Sequence, residues 1–194
     1  MNLLQRAGFL LRITRSHRIA RRYFVVNGFD GALAMLGLII GFLISAPDNL
    51  TVINNVCLGA GIALSMSGIS SAYISEAAER KRALGKLEEA MVADLSESAH
   101  GDAARRVPMM IAMVNGLAPL VISLLILLPL WLANNGIHLP VSPLYASIAI
   151  ALLLIFLLGV FLGRIAGASW LRSGIQTLLV ALVTAAIIYL LEGH

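Results

Sequence analysis

The chain has little charge and almost no cysteine. Only 12% of its 194 residues are Asp, Glu, Lys or Arg, about half the share usual in soluble domains. The single cysteine, Cys57, excludes an intrachain disulfide and leaves the redox compartment unreadable. It sits in an apolar run, where a small packing residue is the ordinary reading. There is no Gly-rich phosphate loop and no Ser–His–Asp set at matched depths. None of the four histidines falls inside an apolar stretch. No enzyme, no organic cofactor and no nucleic-acid partner is expected.

What the chain has instead is hydrophobic residues, 59% of the total. A water-facing domain would have to expose that excess, whereas a lipid-facing surface hides it. Crossing about 30 Å of hydrocarbon takes roughly 20 apolar residues in a helix. Five stretches qualify, near 23–46, 50–75, 107–133, 143–163 and 169–191. Turn chemistry separates them, as in Ser45-Ala46-Pro47-Asp48-Asn49 and Asn134-Asn135-Gly136. The first stretch is too long and starts too late for a cleaved signal peptide. The pattern predicts an all-α membrane protein with five transmembrane helices.

Orientation follows from the basic residues. With the N-terminus in the cytoplasm, all 14 Lys and Arg lie on the cytoplasmic side, including Arg164 and Arg172 at the last short loop. The C-terminus then lies outside. Residues 1–22 carry Arg12, Arg15, Arg18 and Arg22 at helical spacing with Leu4 and Leu11 on another face. They read as an interfacial amphipathic helix on anionic headgroups, or as a plain positive-inside anchor. Residues 23–194 form the transmembrane domain, including a cytoplasmic acidic loop at 76–106. Helix formers run through 77–95, so the second span should continue into the cytosol as a helix. About thirty residues cannot build a core alone, so the loop must lean on a partner subunit, the membrane or an ion.

Asp30 is the polar residue that stands out, about seven residues into the first span. A charged carboxylate at such depth costs on the order of 2.5–3.5 kcal/mol and needs a partner or a wet cavity. It reads as a cation or proton site beside Asn27, Gly28 and Gly31, or as an ion pair with Arg164. The glycines would admit a close backbone or loosen the helix around an ion. In the second span, Gly59, Gly61, Ser65, Gly68 and their neighbours permit tight helix packing. Met66 among them is ordinary by itself, although a thioether suits later transition metals and not Mg²⁺ or Ca²⁺. Glu76 and Glu79 share a helix face. With Glu88 and Glu89 they could gather a divalent cation, or form a solvated face with intrahelical Glu–Arg pairs. Met109, Met110 and Met113 read as lipid or packing contacts.

The order of several short motifs resembles the vacuolar iron transporter family. They are Asn27-Gly28-Phe29-Asp30-Gly31, Ala63-Leu64-Ser65-Met66, Pro108, Leu128-Pro129-Leu130 and Gly159-Val160-Phe161-Leu162-Gly163-Arg164. Ser173-Gly174, Tyr189 and Gly193 complete the likeness, which covers about residues 20–194. The resemblance implies a homodimer exporting Fe²⁺ or Mn²⁺ from the cytosol, with protons exchanged. It also implies a metal pathway through Asp30 and Met66 at the dimer interface, helped by Asn27 and fed by Glu76, Glu79, Glu88 and Glu89. Three departures stand out. Phe29 separates Asn27-Gly28 from Asp30-Gly31, Ser70 and Ser71 stand where many members carry glutamate, and the acidic segment is short. They imply looser metal holding or different proton handling, and a compact prokaryotic branch in the plasma membrane (a vacuolar membrane in a eukaryote). The competing expectations are a scaffold or regulatory subunit without transport, and a proton-coupled carrier of a small organic solute.

Overall fold

The computed structural model describes residues 16–45 and 49–192. They form five helices: α1 (Ser16–Ser45), α2 (Leu50–Met91), α3 (Ala99–Asn134), α4 (Pro143–Ala166) and α5 (Trp170–Glu192). Every one is long and apolar enough to cross a bilayer, and there is no strand among the described residues. The chain is an all-α integral membrane protein, as its five apolar stretches predict. The amphipathic segment expected over 1–22 lies outside the described residues as far as residue 15. From Ser16 the backbone already belongs to α1, which runs through residue 22 without a break.

Local chemistry sets the helix ends. The Asn49 side chain accepts from the Thr51 N–H at 2.8 Å and caps α2. Ser98 accepts from the His100 and Gly101 amides and caps α3. Pro143 opens α4, where its missing N–H is no loss, and Gly167 closes it at φ 69°.

The third helix is the hub. It packs most extensively on α2 and then on α1, while α4 and α5 pair with each other and lean on α1. Met35, Leu36 and Ile39 of α1 meet Ile53 and Cys57 of α2, Ile126 and Leu130 of α3, Ile155 of α4 and Ala181 of α5 in one core. Cys57 is buried there, as its setting in the sequence suggests. Pro108, Pro119 and Pro129 all lie inside α3. Each removes a backbone hydrogen bond, which a membrane helix tolerates when neighbouring helices re-satisfy the freed groups.

At 42 residues α2 is about 63 Å long, roughly twice the hydrocarbon thickness. Its final turns and the first turns of α3 project beyond the bilayer as a helical hairpin. The continuation of the second span as a helix is therefore present. The base of the hairpin is tied down by Ala103, Val107 and Ile111, which pack with Ile19 and Tyr23 of α1. At the tip, the Glu88 carboxylate accepts from the Leu95 N–H at 3.0 Å. Asp94 accepts from the Ser96 N–H at 2.8 Å, and bonds from Ser96 hold its carboxyl below the usual range. That contribution is present at neutral pH and is lost as pH falls through the lowered value.

The hairpin turns at Val92, which is left-handed at φ 51°. A β-branched residue there stores about 1–3 kcal/mol of strain. The side chain is 93% exposed and holds nothing in exchange. Val92→Gly is expected to stabilise the protein by about 1 kcal/mol, raising its melting midpoint in detergent. A lowered midpoint would show that the valine has a contact worth more than its strain.

Candidate functional site

α1 brings its polar residues to the junction with α2 and α3. Asn27 Nδ2 donates to the Tyr23 carbonyl one turn earlier at 3.0 Å and to Asn115 Oδ1 of α3. Asn115, which is buried, donates from Nδ2 to the Gly68 carbonyl of α2 at 2.7 Å. A single chain of amides thus ties three helices together. Sequence reasoning overlooked Asn115. The available signal was an amide inside an apolar span, followed by glycine and then proline in Asn115-Gly116-Leu117-Ala118-Pro119.

Small residues let the helices close around this junction. A Cβ on Gly31 would stand 2.8 Å from the Pro119 Cα, and one on Gly61 would stand 3.1 Å from the Ser123 Cβ. A Cβ on Gly116 would meet the Ser65 carbonyl oxygen at 2.5 Å and the Ile69 nitrogen at 3.0 Å. Of the two roles expected for the glycines beside Asp30, Gly31 fills the first, admitting a close neighbour. These contacts also fix the register. Gly31 is level with Pro119, and Pro119 lies between the residues of α3 that meet Ser65 and Gly61. Asp30 and Met66 therefore sit at nearly the same depth.

They do not share a side. Asp30 is exposed and follows Asn27 by three residues, so it lies on the open side of α1 next to the Asn27–Asn115 contact with α3. On α2, Ile53, Cys57 and Ala60 pack into the core shared with α1. Asn55 and Leu58 line the opposite flank, where they border a cleft of about 690 Å³ with Leu124, Leu128 and Trp131 of α3. Met66 follows Asn55 by eleven residues, about three turns, so it belongs to that opposite flank. It is 57% exposed. Met109 and Met113 are also exposed, in keeping with lipid or packing contacts.

The ion pair between Asp30 and Arg164 does not form. Among the described residues the salt bridges are Glu76–Arg80 at 3.4 Å and Asp102–Arg105 at 3.1 Å. Asp30 and Arg164 are each exposed and in neither pair.

The four glutamates lie on one helix but do not converge. Glu76 is buried against Arg80, and Glu88 is occupied at the hairpin tip. Glu79 and Glu89 are exposed. Twelve residues separate Glu76 from Glu88, about 18 Å along a helix axis. No ion reaches both, and no group of three acidic, histidine or cysteine side chains gathers among the described residues. The expected intrahelical Glu–Arg pairing is realised at Glu76. Within one protomer the acids form a trail, not a cage.

Comparison with known proteins agrees with this architecture. No solved structure matches the chain. An uncharacterized protein of Methanocaldococcus jannaschii is 31% identical over 174 residues, covering 88% of this chain and 87% of that protein. The sequence profile of the VIT family matches residues 82–192, more than half of the chain. With five spans, a compact hairpin and an archaeal relative of nearly equal coverage, the chain belongs to the VIT family of metal-ion membrane transporters.

Proposed function

We propose that this protein exports Fe²⁺ or Mn²⁺ from the cytosol in exchange for protons, as a homodimer. The observation that carries the reading is Asp30, a carboxylate at membrane depth that is exposed in the protomer and in no salt bridge among the described residues. Left facing lipid, its charge would cost on the order of 2.5–3.5 kcal/mol. A second copy enclosing a wet pathway lowers that cost in part and gives the carboxylate a purpose.

The opposite placement of Met66 supports the pairing. Met66 sits on the flank of α2 turned away from the core shared with α1, the helix that carries Asp30, so a site using both takes them from two copies. In the two-fold pair proposed here each α2 would have its own α1 on one flank and the partner's α1 on the other. Carboxylate oxygen favours Mn²⁺ and Fe²⁺, and thioether sulfur disfavours Mg²⁺ and Ca²⁺. Protonation of Asp30 removes the charge that holds the ion and releases it. The hairpin faces the cytosol, where the basic residues belong. Its exposed Glu79 and Glu89 collect ions at the entrance.

Uptake by proteoliposomes tests the proposal. Vesicles with an acidic lumen are expected to accumulate Mn²⁺ and Fe²⁺ faster than vesicles without a gradient, and both ions faster than Mg²⁺. Accumulation no greater than in protein-free vesicles would sink the transport reading.

A further inference from the structure

We propose that Asn115 is a positioning residue for the cation, one that acts by fixing which atom Asn27 presents. The inference rests on the transport reading and adds to it a residue of α3, which contributes none of the side chains already assigned to the pathway.

The argument concerns the direction of hydrogen bonds. A side-chain amide carries a donating nitrogen and an accepting oxygen, and only its partners decide which way it faces. A backbone carbonyl can only accept. The Gly68 carbonyl therefore fixes Asn115 Nδ2 toward α2, which leaves Asn115 Oδ1 facing α1. That oxygen requires a donor, so Asn27 must turn its Nδ2 to it, and the second hydrogen of the same nitrogen goes to the Tyr23 carbonyl. Both hydrogens of the Asn27 amide are then engaged. Its Oδ1 is the atom left over, one helical turn from the Asp30 carboxylate on α1.

The consequence is chemical. A hard divalent cation accepts an amide oxygen as a ligand and is repelled by an amide N–H. Were Asn27 to flip, it would aim N–H groups at the space beside Asp30. Asn115 prevents the flip from the far side of the amide, with no contact to the ion. It also joins α1 to α2 through α3, which keeps the helix carrying Asp30 in register with the helix carrying Met66.

The test separates orientation from packing. An aspartate at position 27 presents oxygen whichever way it turns, so it needs no orienting partner. Mn²⁺ uptake into proteoliposomes and Mn²⁺ binding by the detergent-solubilised protein are measured for wild type, Asn115→Leu, Asn27→Asp and the double variant. Asn115→Leu is expected to raise KM and Kd about tenfold while the maximal rate changes less than threefold. In the Asn27→Asp background the same change is expected to shift KM and Kd no more than twofold.

Equal losses from Asn115→Leu in both backgrounds would reduce Asn115 to a packing residue and overturn the proposal. So would an unchanged Kd in the wild-type background. If Asn115→Leu does not fold, Asn115→Ser also removes the reach to Asn27, and its shifts in the two backgrounds are read in the same way. Absence of Mn²⁺ uptake and binding by the wild type is a different outcome, and it overturns the transport reading together with this proposal. Wild-type transport with no coupling between positions 27 and 115 overturns this proposal alone.

Discussion

Asp30→Ala is expected to lower Mn²⁺ uptake at least tenfold while making the protein more stable. The two halves of this result come from the same placement. An ionised carboxylate within the span opposes insertion by on the order of 2.5–3.5 kcal/mol, and in the protomer no salt bridge among the described residues offsets it. Removing the side chain removes that cost, so the melting midpoint in detergent should rise or hold. The same removal deletes the anionic ligand. Loss of function with a gain in stability is the signature of a residue kept for its chemistry.

The ion-pair alternative predicts the reverse, since breaking a buried pair is strongly destabilising. Arg164→Ala supplies the contrast and is expected to leave uptake within twofold of wild type. Should Asp30→Ala transport Mn²⁺ at the wild-type rate, Asp30 has no place in the mechanism.

The second large effect is expected at Gly116. Alanine is intrinsically favoured over glycine inside a helix by about 1 kcal/mol, so a free position would gain from the change. Gly116 is not free. The new methyl would stand 2.2 Å from Ile69 Cγ1, which can move, but also 2.5 Å from the Ser65 carbonyl oxygen and 3.0 Å from the Ile69 nitrogen. Those are backbone atoms, and they move only if α2 moves. Overpacking of this kind costs about 3 kcal/mol, enough to outweigh the propensity gain. Pushing α2 away also stretches the adjacent bond from Asn115 to the Gly68 carbonyl.

Gly116→Ala should therefore lower the melting midpoint sharply and depress uptake. Gly59→Ala is the control, because a Cβ there meets nothing within 4 Å. If both variants melt alike, the close approach of α2 to α3 is not what holds the pair together.

The five spans were legible because hydrocarbon thickness imposes a length and apolarity that few other constraints produce. The passage of α2 into a projecting hairpin was legible too, from the helix formers beyond Ser75. The facing of α2 was not. Gly59, Gly61, Ser65, Ser67 and Gly68 are spread around its circumference, so no single small-residue stripe marks the packed side. Only the close approaches of Gly61 and Gly68 to α3 distinguish them from Gly59, which is open.

Asp30 could be found by its charge, while Asn115 gave only the weaker signal of a neutral amide in a run of apolar residues. Its importance lies in the Gly68 carbonyl and the Asn27 amide that it bonds, which a sequence does not place. The glutamates of the hairpin show a related gap. Spacing revealed that Glu76 and Glu79 share a helix, but their separation from Glu88 became decisive only once the helix proved unbroken to Met91.

That unbroken helix has a mechanical corollary. Proline is a strong breaker of helices, and α2 contains none, so its two glycines between Met66 and Met91 are carried within an unbroken helix. Between Met66 and Met91 it runs about 37 Å as one continuous helix. Its inner half is gripped by α3 where Gly61 and Gly68 press against their neighbours. A sideways force on the tip consequently acts as a lever on that grip, within which Met66 lies. Contact with an ion, a lipid surface or another protein far from the bilayer would thereby load the packing of Gly61 and Gly68 against α3.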